Sequence, residues 1–330
     1  MKAKYSSLRR LIVQAGLLSP VSTIGNTFGQ GQASYPAKPI KVMVPFSSGG
    51  GTDVVGRTLM QNMSALLGQA IVIENKPGAG TVIGSDAVAK STPDGYTLLL
   101  TTSALAINAS LVKVLPYNTL RDFAPVGRIC YGPNVFVVRA DSPFKNLNDV
   151  IQASRAKPGS LTYASSGTGS SVHLSAEMLK NMAKIHMLHI PYRGAGPAYT
   201  DLIGGQVDLL IATAGGVHKL VQGGKMRAIA VTSPERSLAY PGVPSVSETL
   251  PGYSANVWYG LFAPKLTPTS VVDLLNDTLK KAVDLPAYRA ALERDGLVPS
   301  VNTPAEMTAF MRIEVELWQK VVTERGITAE

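Results

Sequence analysis

The sequence has a single cysteine, Cys130, and neither a carboxylate pair nor a cluster of His, Cys and acidic residues at metal-binding spacing. One thiol excludes an internal disulfide and a metal site built on paired cysteines. Because Cys130 lies far from the N-terminus, the sequence also lacks the processing-site cysteine that a lipoprotein needs. We interpret Cys130 as a small buried hydrophobic residue and expect no metal and no cofactor.

Aromatic residues and runs of basic residues are also scarce. Aromatic residues make up 6% of the chain, and no Lys/Arg run accompanies the net charge of +9. This composition argues against a nucleic-acid surface. With 45% hydrophobic and 16% charged residues, the chain is typical of a folded protein, and 330 residues suffice for two cores.

The N-terminal residues 1–33 have the pattern of an export signal. An apolar stretch and the small-residue motif "GQA" follow a basic start, which predicts cleavage near Ala33 and export of a soluble protein. The alternative, a disordered or anchoring segment, is less favoured because the short apolar stretch contains Gln14 and Pro20 and would span a bilayer poorly. The segment has no acid, so its loss changes the charge to 9 − 4 = +5; its basic residues are Lys2, Lys4, Arg9 and Arg10. The export route, general or twin-arginine, stays open.

From Tyr35 onward, strand and helix patterns alternate, which predicts parallel sheets covered on both faces. Two long extended segments, "VGRICYGPNVFVVRA" and "ANVWYGLFAP", interrupt this alternation. We expect the chain to leave a first domain through one of them and to return through the other. The predicted domains are 34–134 with 256–330, and 135–255, and the terminal helices should pack on the first sheet.

A Ser/Gly loop occurs twice. The segment "FSSGGGTDVV" aligns with "ASSGTGSSVH" at an offset of 165 − 47 = 118 residues, which places one copy in each predicted domain. Each copy follows a strand and opens a helix, as does a related turn, "PYRGAGPAY". Ligands of open α/β sheets lie at such strand ends.

These loops have the chemistry of an anion site. Glycines let the backbone approach a ligand, and the first turn of a helix offers free N–H groups and a dipole that favours negative charge. Charge-assisted hydrogen bonds contribute about 1.5–3 kcal/mol each, so several suffice without arginine. The sequence predicts two half-sites that close on one anion, although Gly/Ser loops also occur simply as turns.

Other functional patterns are incomplete. "GGGTD" lacks the lysine of a phosphate-binding P-loop, and the strand after "ENKPGAGTVIG" lacks the acid expected for a dinucleotide ribose. Asp53 in the first loop is expected to stabilise the helix start and to face water. Ser170 and His173 are candidates for a hydrolytic pair, but no nucleophile elbow or orienting acid accompanies them. His173 is alternatively a donor in the cleft or a residue packed beneath the loop.

The chain resembles the periplasmic receptors of tripartite tricarboxylate transporters, the Bug-type receptors, from Tyr35 to its C-terminus. The resemblance rests on motifs in order along the chain: "YPAKPIKVMVPFSSGGGTD", "VIENKPGAG", "PDGYTLLL", "LPYNTLRDFAPVG", "LTYASSGTGSSVHL", "PYRGAGPA", "LIGGQVDLL", "RAIAVTSPERS" and "WYGLFAP". It implies an α/β, type II periplasmic-binding-protein fold in which two doubly wound lobes are joined by two crossing strands and close by a hinge.

The resemblance also implies a function in binding without a reaction. A small organic carboxylate would be held in the cleft, for delivery to the membrane subunits of the transporter by a monomeric receptor. Carried over by motif, the ligand-binding residues are expected to be Phe46, Ser47, Ser48, Gly49, Gly50, Thr52, Thr102, Ser103, Asn108, Ser165, Ser166, Gly167, Thr168, Gly169, Ser170, His173, Tyr192, Gly194 and Ala195.

One position departs from the family pattern. Many relatives have an aspartate near the end of the strand after "GGQV", where this chain has Ala212. The loss of a carboxylate favours an anion over an amino acid as ligand. Two alternatives stay open: an α/β enzyme that acts on a small carboxylate through Ser170 and His173, and a sensory receptor for a membrane kinase.

Overall fold

Ten strands and eleven α-helices alternate along the residues that the structure, a computed structural model, describes: 35–324 and 326–328. The predicted export signal lies outside these residues. The strands are β1 (Ile40–Val44), β2 (Ile71–Asn75), β3 (Thr97–Thr102), β4 (Phe123–Arg139), β5 (Thr162–Ser165), β6 (Leu188–Pro191), β7 (Leu209–Thr213), β8 (Met226–Val231), β9 (Asn256–Pro264) and β10 (Val298–Pro299). The helices are α1 (Gly51–Leu67), α2 (Val82–Ala89), α3 (Ala104–Leu111), α4 (Leu147–Ala156), α5 (Ser171–Ala183), α6 (Ala195–Ile203), α7 (Ala214–Gln222), α8 (Val246–Thr249), α9 (Thr269–Val283), α10 (Pro286–Arg294) and α11 (Pro304–Glu324).

The sheet is mixed, with parallel pairing within each lobe and antiparallel pairing along the two long strands. Its main order is β2-β1-β3-β9-β4-β7-β5-β6. Strand β1 pairs in parallel with β2 and β3, and β5 pairs in parallel with β6 and β7, as the alternating pattern predicts. The two long strands β4 and β9 instead pair antiparallel with each other and with their neighbours. They run between the lobes and do not belong to the βαβ repeat.

Each lobe buries its own apolar clusters. In the first lobe, Leu59 of α1 and Leu98 of β3 share a core with Leu275 of α9, so the C-terminal helices pack on the first sheet. In the second lobe, Leu179 of α5 packs with Phe136 of β4. Cys130 is fully buried on β4. Among the described residues, no helix combines the length and apolar character needed to cross a membrane.

Candidate functional site

A small inner cavity lies where four helices begin. Its lining comes from the starts of α1, α5, α6 and α7 and from the ends of strands β3 and β7. Its volume of about 20 Å3 accommodates about one water molecule. The lining residues are Phe46, Gly50, Gly51, Thr52, Thr102, Ser166, Ser171, Val172, Ala195, Ile211, Ala212 and Thr213.

None of these lining residues is charged. The positive end of each helix dipole and the unpaired first-turn amides are therefore the main sources of positive potential at the cavity. In the part of the chain that the structure describes, no group of His, Cys and acidic residues has the geometry to hold a metal ion. The arrangement suits an anion that accepts several hydrogen bonds.

The first loop is held from behind by Asp53. Gly50 is extended (φ −76°, ψ 167°) and gives α1 no side-chain cap, so the first-turn amides of α1 stay available to a ligand. The Asp53 carboxylate is buried and accepts hydrogen bonds from the Gly49 amide (2.9 Å), Arg57 Nε (2.8 Å) and Asn75 Nδ2 (2.9 Å). The expectation that Asp53 faces water is therefore wrong.

These hydrogen bonds also set the ionisation of Asp53. Burial alone raises the pKa of Asp53, but the hydrogen bonds from Arg57, Gly49 and Asn75 outweigh burial and lower the pKa below its ordinary value. The carboxylate therefore stays charged at neutral pH, and it fixes the loop by accepting from the Gly49 amide.

The second loop is capped by its own serine. Ser170 Oγ accepts from the His173 amide at 3.3 Å and donates to the Gly167 carbonyl at 2.5 Å. Gly169 takes a positive φ of 81°, which only glycine adopts readily. Its amide donates to His173 Nδ1 at 3.3 Å, which makes that nitrogen an acceptor and leaves the neutral imidazole under the loop.

His173 belongs to a buried stack of rings behind the cavity. Its ring lies 4.4 Å from that of His189, and the His189 ring lies 4.7 Å from that of Tyr163. His189 Nε2 is 2.7 Å from Ser165 Oγ, which in turn accepts from the Gly167 amide. Burial lowers the pKa of His173 to about 4 and that of His189 to about 3.

The hydrolytic pair does not form in this geometry. The Ser170 hydroxyl is used by the Gly167 carbonyl, and His173 Nδ1 is used by the Gly169 amide. The Ser170 hydroxyl bonds to the His173 backbone amide but not to its imidazole, so His173 is not placed to take a proton from Ser170. The structure instead matches the alternative that His173 packs beneath the loop.

The two lobes touch around the inner cavity. A side chain at Gly80 would clash with the Thr168 carbonyl oxygen, and one at Gly194 would lie 2.7 Å from the Ser47 amide nitrogen. A Cβ on Gly169 of the second lobe would likewise clash with Asn108 Oδ1 of the first lobe.

Two larger cavities flank the inner one. The first outer cavity, of about 430 Å3, is lined by residues that include Gly80, Thr168 and Arg193. The second outer cavity, of about 410 Å3, is lined by residues that include Tyr199, Gly216 and Lys219. Cationic side chains thus line the outer cavities, whereas the inner cavity has none.

The predicted ligand-binding residues divide into three groups by position. Those that line the inner cavity are Phe46, Gly50, Thr52, Thr102, Ser166 and Ala195. Those that line only an outer cavity are Gly49, Gly167, Thr168, Tyr192 and Gly194. Those that line none of these three cavities are Ser47, Ser48, Ser103, Asn108, Ser165, Gly169, Ser170 and His173.

The prediction missed several residues that line the cavity. Gly51 and Ser171 begin α1 and α5, and Thr213 immediately precedes α7. The signal was present in the sequence, because "DLLIATAGG" has a strand followed by small residues and a hydroxyl residue, as the other loops do. It lacks the Ser-Ser-Gly pattern that identified the first two loops, and α7 itself was not predicted.

Comparison with known proteins agrees with this geometry. The family model of the tripartite tricarboxylate transporter family receptor matches residues 55–327. The protein BugT of Bordetella pertussis is 38% identical over 320 residues, which cover 96% of this chain and 95% of BugT. Among solved structures, the periplasmic binding protein BugD has a TM-score of 0.85 at 33% identity and covers 89% of this chain and 99% of its own. Rpa4515 of R. palustris, solved with adipate, has a TM-score of 0.86 at 32% identity and covers 89% of this chain and 99% of its own.

Proposed function

Because this chain belongs to the family of tripartite tricarboxylate transporter receptors, we propose that it binds a small organic carboxylate between its lobes in the periplasm. It delivers this ligand to the membrane subunits of such a transporter and carries out no reaction on it. The relatives support this proposal, since Rpa4515 was solved with adipate. The two-lobed fold predicted from the sequence is confirmed by the match to BugD.

The single observation that carries the proposal is the uncharged cavity at the converging helix starts. First-turn amides and hydroxyl groups from both lobes would donate to the carboxylate oxygens. A carboxylate that bridges the lobes stabilises the closed form relative to the open one, because only the closed form supplies donors from both sides. The proposed binding residues are those predicted from the sequence that line the inner and outer cavities, with Ser171 and Thr213 added.

We also propose the domain boundaries and the processing of the chain. One domain comprises 34–134 with 256–330, the other comprises 135–255, and the export signal is cleaved near Ala33. The receptor acts as a monomer, and its mature form has a net charge near +5, which favours association with anions in general.

Two other functions are weighed against this one. An enzyme that uses Ser170 would need a base on its hydroxyl, and that hydroxyl donates to the Gly167 carbonyl instead. A sensory receptor for a membrane kinase would bind its ligand in the same way and differ only in its partner. Transport is favoured by the family that the chain belongs to.

Native mass spectrometry of the protein purified from the periplasm tests the proposal. We expect a small carboxylic acid to co-purify, and the same acid, added to stripped protein, to raise the melting temperature with increasing concentration. The acid should be recovered unchanged after incubation. Conversion of the acid, abolished by Ser170→Ala, would support the enzyme and contradict the receptor.

A further inference from the structure

A further cavity lies on β4 and β9, the two long strands that run between the lobes. Its volume of about 320 Å3 is within the range of small-molecule sites. None of its lining residues lines the inner cavity or either outer cavity. We call it the hinge cavity, and its lining residues are Arg128, Tyr131, Asn256, Val257, Trp258, Phe310 and Glu314.

The hinge cavity lies on the face of the sheet that α11 covers. Tyr131 of β4 and Trp258 of β9 are directly paired, so their side chains project from the same face. Trp258 shares an apolar core with Trp318 of α11. The neighbouring pair, Cys130 and Tyr259, projects from the opposite face and belongs to the core that contains α9. The cavity is therefore formed by the two connecting strands and the last helix.

A cation and an anion line the hinge cavity without bonding to each other. Arg128 donates from Nε to the Ser300 carbonyl at 3.2 Å and from Nη2 to Ser300 Oγ at 2.5 Å. Glu314 Oε2 accepts from the indoles of Trp258 and Trp318. Among the residues that the structure describes, none accepts from Arg128 Nη1 and none donates to Glu314 Oε1, so each charged group has one free atom.

The surroundings of these two charges favour a ligand that also has two charges. Both residues are half-buried. Burial raises the pKa of Glu314, although hydrogen bonds from the two indoles and the charge of Arg128 act against it. A ligand with one charge would pair with one group and desolvate the other without a partner, which is unfavourable. A zwitterion pairs with both.

Aromatic rings form the apolar part of the hinge cavity. The Arg128 guanidinium lies 5.0 Å from the centroid of the Phe310 ring and 5.4 Å from that of the Tyr131 ring, and these contacts hold the guanidinium in place. The rings of Trp258 and Phe310 meet edge to face, with centroids 5.7 Å apart. Rings of this kind offer a further aromatic ring the same edge-to-face or offset contacts.

We propose that the hinge cavity binds a free α-amino acid with an aromatic side chain, separately from the carboxylate in the cleft. The ammonium group of the amino acid donates to Glu314 Oε1, and its carboxylate accepts from Arg128 Nη1. Its ring packs against Trp258 and Phe310. The amino acid thus binds to the strands that connect the lobes and to α11.

Calorimetry with L-phenylalanine and phenethylamine tests the hinge cavity. The two probes differ in the carboxylate, which only the amino acid has. We expect the wild-type protein to bind phenylalanine at least about tenfold more tightly, because the amine lacks one charge-assisted hydrogen bond. Arg128→Gln should weaken the binding of phenylalanine about tenfold and leave phenethylamine the same or improved. The preference for the amino acid should then fall to within about twofold.

Glu314→Gln tests the other charge. Glutamine keeps an acceptor for both indoles, so the fold should be retained, but the affinity for both probes should fall about tenfold. Glu177→Gln is the matched control, because Glu177 of the second lobe also accepts from two side chains, those of Tyr163 and Lys180. It should leave the affinity for phenylalanine within about twofold. Melting temperatures of the ligand-free variants check that each is folded.

Gly51→Ala separates the hinge cavity from the cleft, since Gly51 lines the inner cavity. This variant should bind phenylalanine within about twofold of the wild type. A loss of phenylalanine binding in Gly51→Ala, with none in Glu314→Gln, would place the amino acid in the cleft and overturn the proposal. Failure of the wild-type protein to bind phenylalanine, or equal affinity for the two probes, would overturn it as well.

Discussion

Gly51 at the start of α1 lies against Thr213 at the start of α7, so closely that a Cβ on Gly51 would clash with Thr213 Oγ1. The two residues belong to different lobes, and both line the inner cavity. This arrangement leaves no room for a side chain at position 51. If the lobes close over the ligand as proposed, closure requires glycine there.

Replacement of Gly51 by alanine should weaken ligand binding without preventing the protein from folding. Gly51→Ala adds one methyl group at the first position of a helix, where alanine is well tolerated, but it pushes Thr213 away. We expect a loss of at least about tenfold in affinity for the ligand, since about 1.4 kcal/mol of lost contacts suffices for it. Calorimetry measures this loss.

A second Gly→Ala substitution, outside the site, controls for the general effect of replacing glycine by alanine. Gly204 ends α6 with φ −74°, and a Cβ there would meet its nearest atom, the Thr200 carbonyl oxygen, at 3.3 Å. Gly204→Ala should leave the affinity within about twofold, because the site lies outside all three cavities. Equal effects of the two substitutions would contradict the role of Gly51 in closure.

The serines at the cavity wall should contribute unequally to binding. Ser166→Ala should weaken binding by about 1–2 kcal/mol, because the hydroxyl lines the cavity in a position to donate to the ligand. Ser171→Ala should have a similar effect, since Ser171 also lines the cavity. Ser160→Ala is the control, because that hydroxyl is exposed and donates to the Lys157 carbonyl. Negligible effects at both cavity serines would reject the side-chain part of the site.

Acid should destabilise the protein through the buried histidine stack. In the unfolded chain both rings bind a proton near pH 6.5, whereas burial lowers the folded pKa of His173 to about 4 and that of His189 to about 3. Between these values the unfolded state binds more protons, so this contribution to stability is complete above pH 6.5 and is lost as the pH falls towards 4. Urea unfolding from pH 7.5 to 4.5 measures the loss.

His189→Gln tests the source of this pH dependence. Glutamine does not titrate and keeps a group that can bond to Ser165 Oγ, so the variant should show a shallower fall in stability between pH 6.5 and 4.5. His186→Gln is the control, because His186 is exposed on the surface of the same lobe. A slope that is unchanged in His189→Gln would assign the acid sensitivity to other groups.

Glu314 should stabilise the fold mainly as a hydrogen-bond acceptor, and its negative charge should contribute less. Its Oε2 accepts from the indoles of Trp258 (2.7 Å) and Trp318 (3.1 Å), and burial raises the pKa of Glu314. Glu314→Gln keeps an acceptor oxygen and should change the free energy of unfolding by less than about 1 kcal/mol. Glu314→Leu leaves two indole N–H groups without an acceptor and should cost about 2–4 kcal/mol. Similar denaturation midpoints for the two variants would contradict this role.

Local patterns predicted the βαβ units and the loops that end at the cavity. Strand β1, the Ser/Gly loop and α1 were predicted together, because a buried strand, glycines and a helical apolar period follow one another. The antiparallel pairing of β4 and β9 was not predicted, since strand direction depends on partners far away in the sequence. The position of Asp53 was wrong for a similar reason, because Asn75, one of its partners, lies on a neighbouring strand.

The site was predicted from a loop that occurs twice, so cavity residues outside the repeated motif were missed. Two Ser-Ser-Gly loops identify the starts of α1 and α5. The start of α7 also follows a strand and lines the cavity, but it lacks the Ser-Ser-Gly motif, so Thr213 was not predicted. Residues such as His173 were included because they are near the loop in sequence, whereas their side chains support the loop from behind.

A crystal structure of the protein with its co-purified acid would show how the ligand is held. We expect the ligand carboxylate to lie between the first turns of α1 and α5 and to accept hydrogen bonds from their amides and from Ser166, with no lysine or arginine in contact. A carboxylate held instead by Arg193 or Lys219 in an outer cavity, with no hydrogen bond to these helix starts, would contradict this expectation.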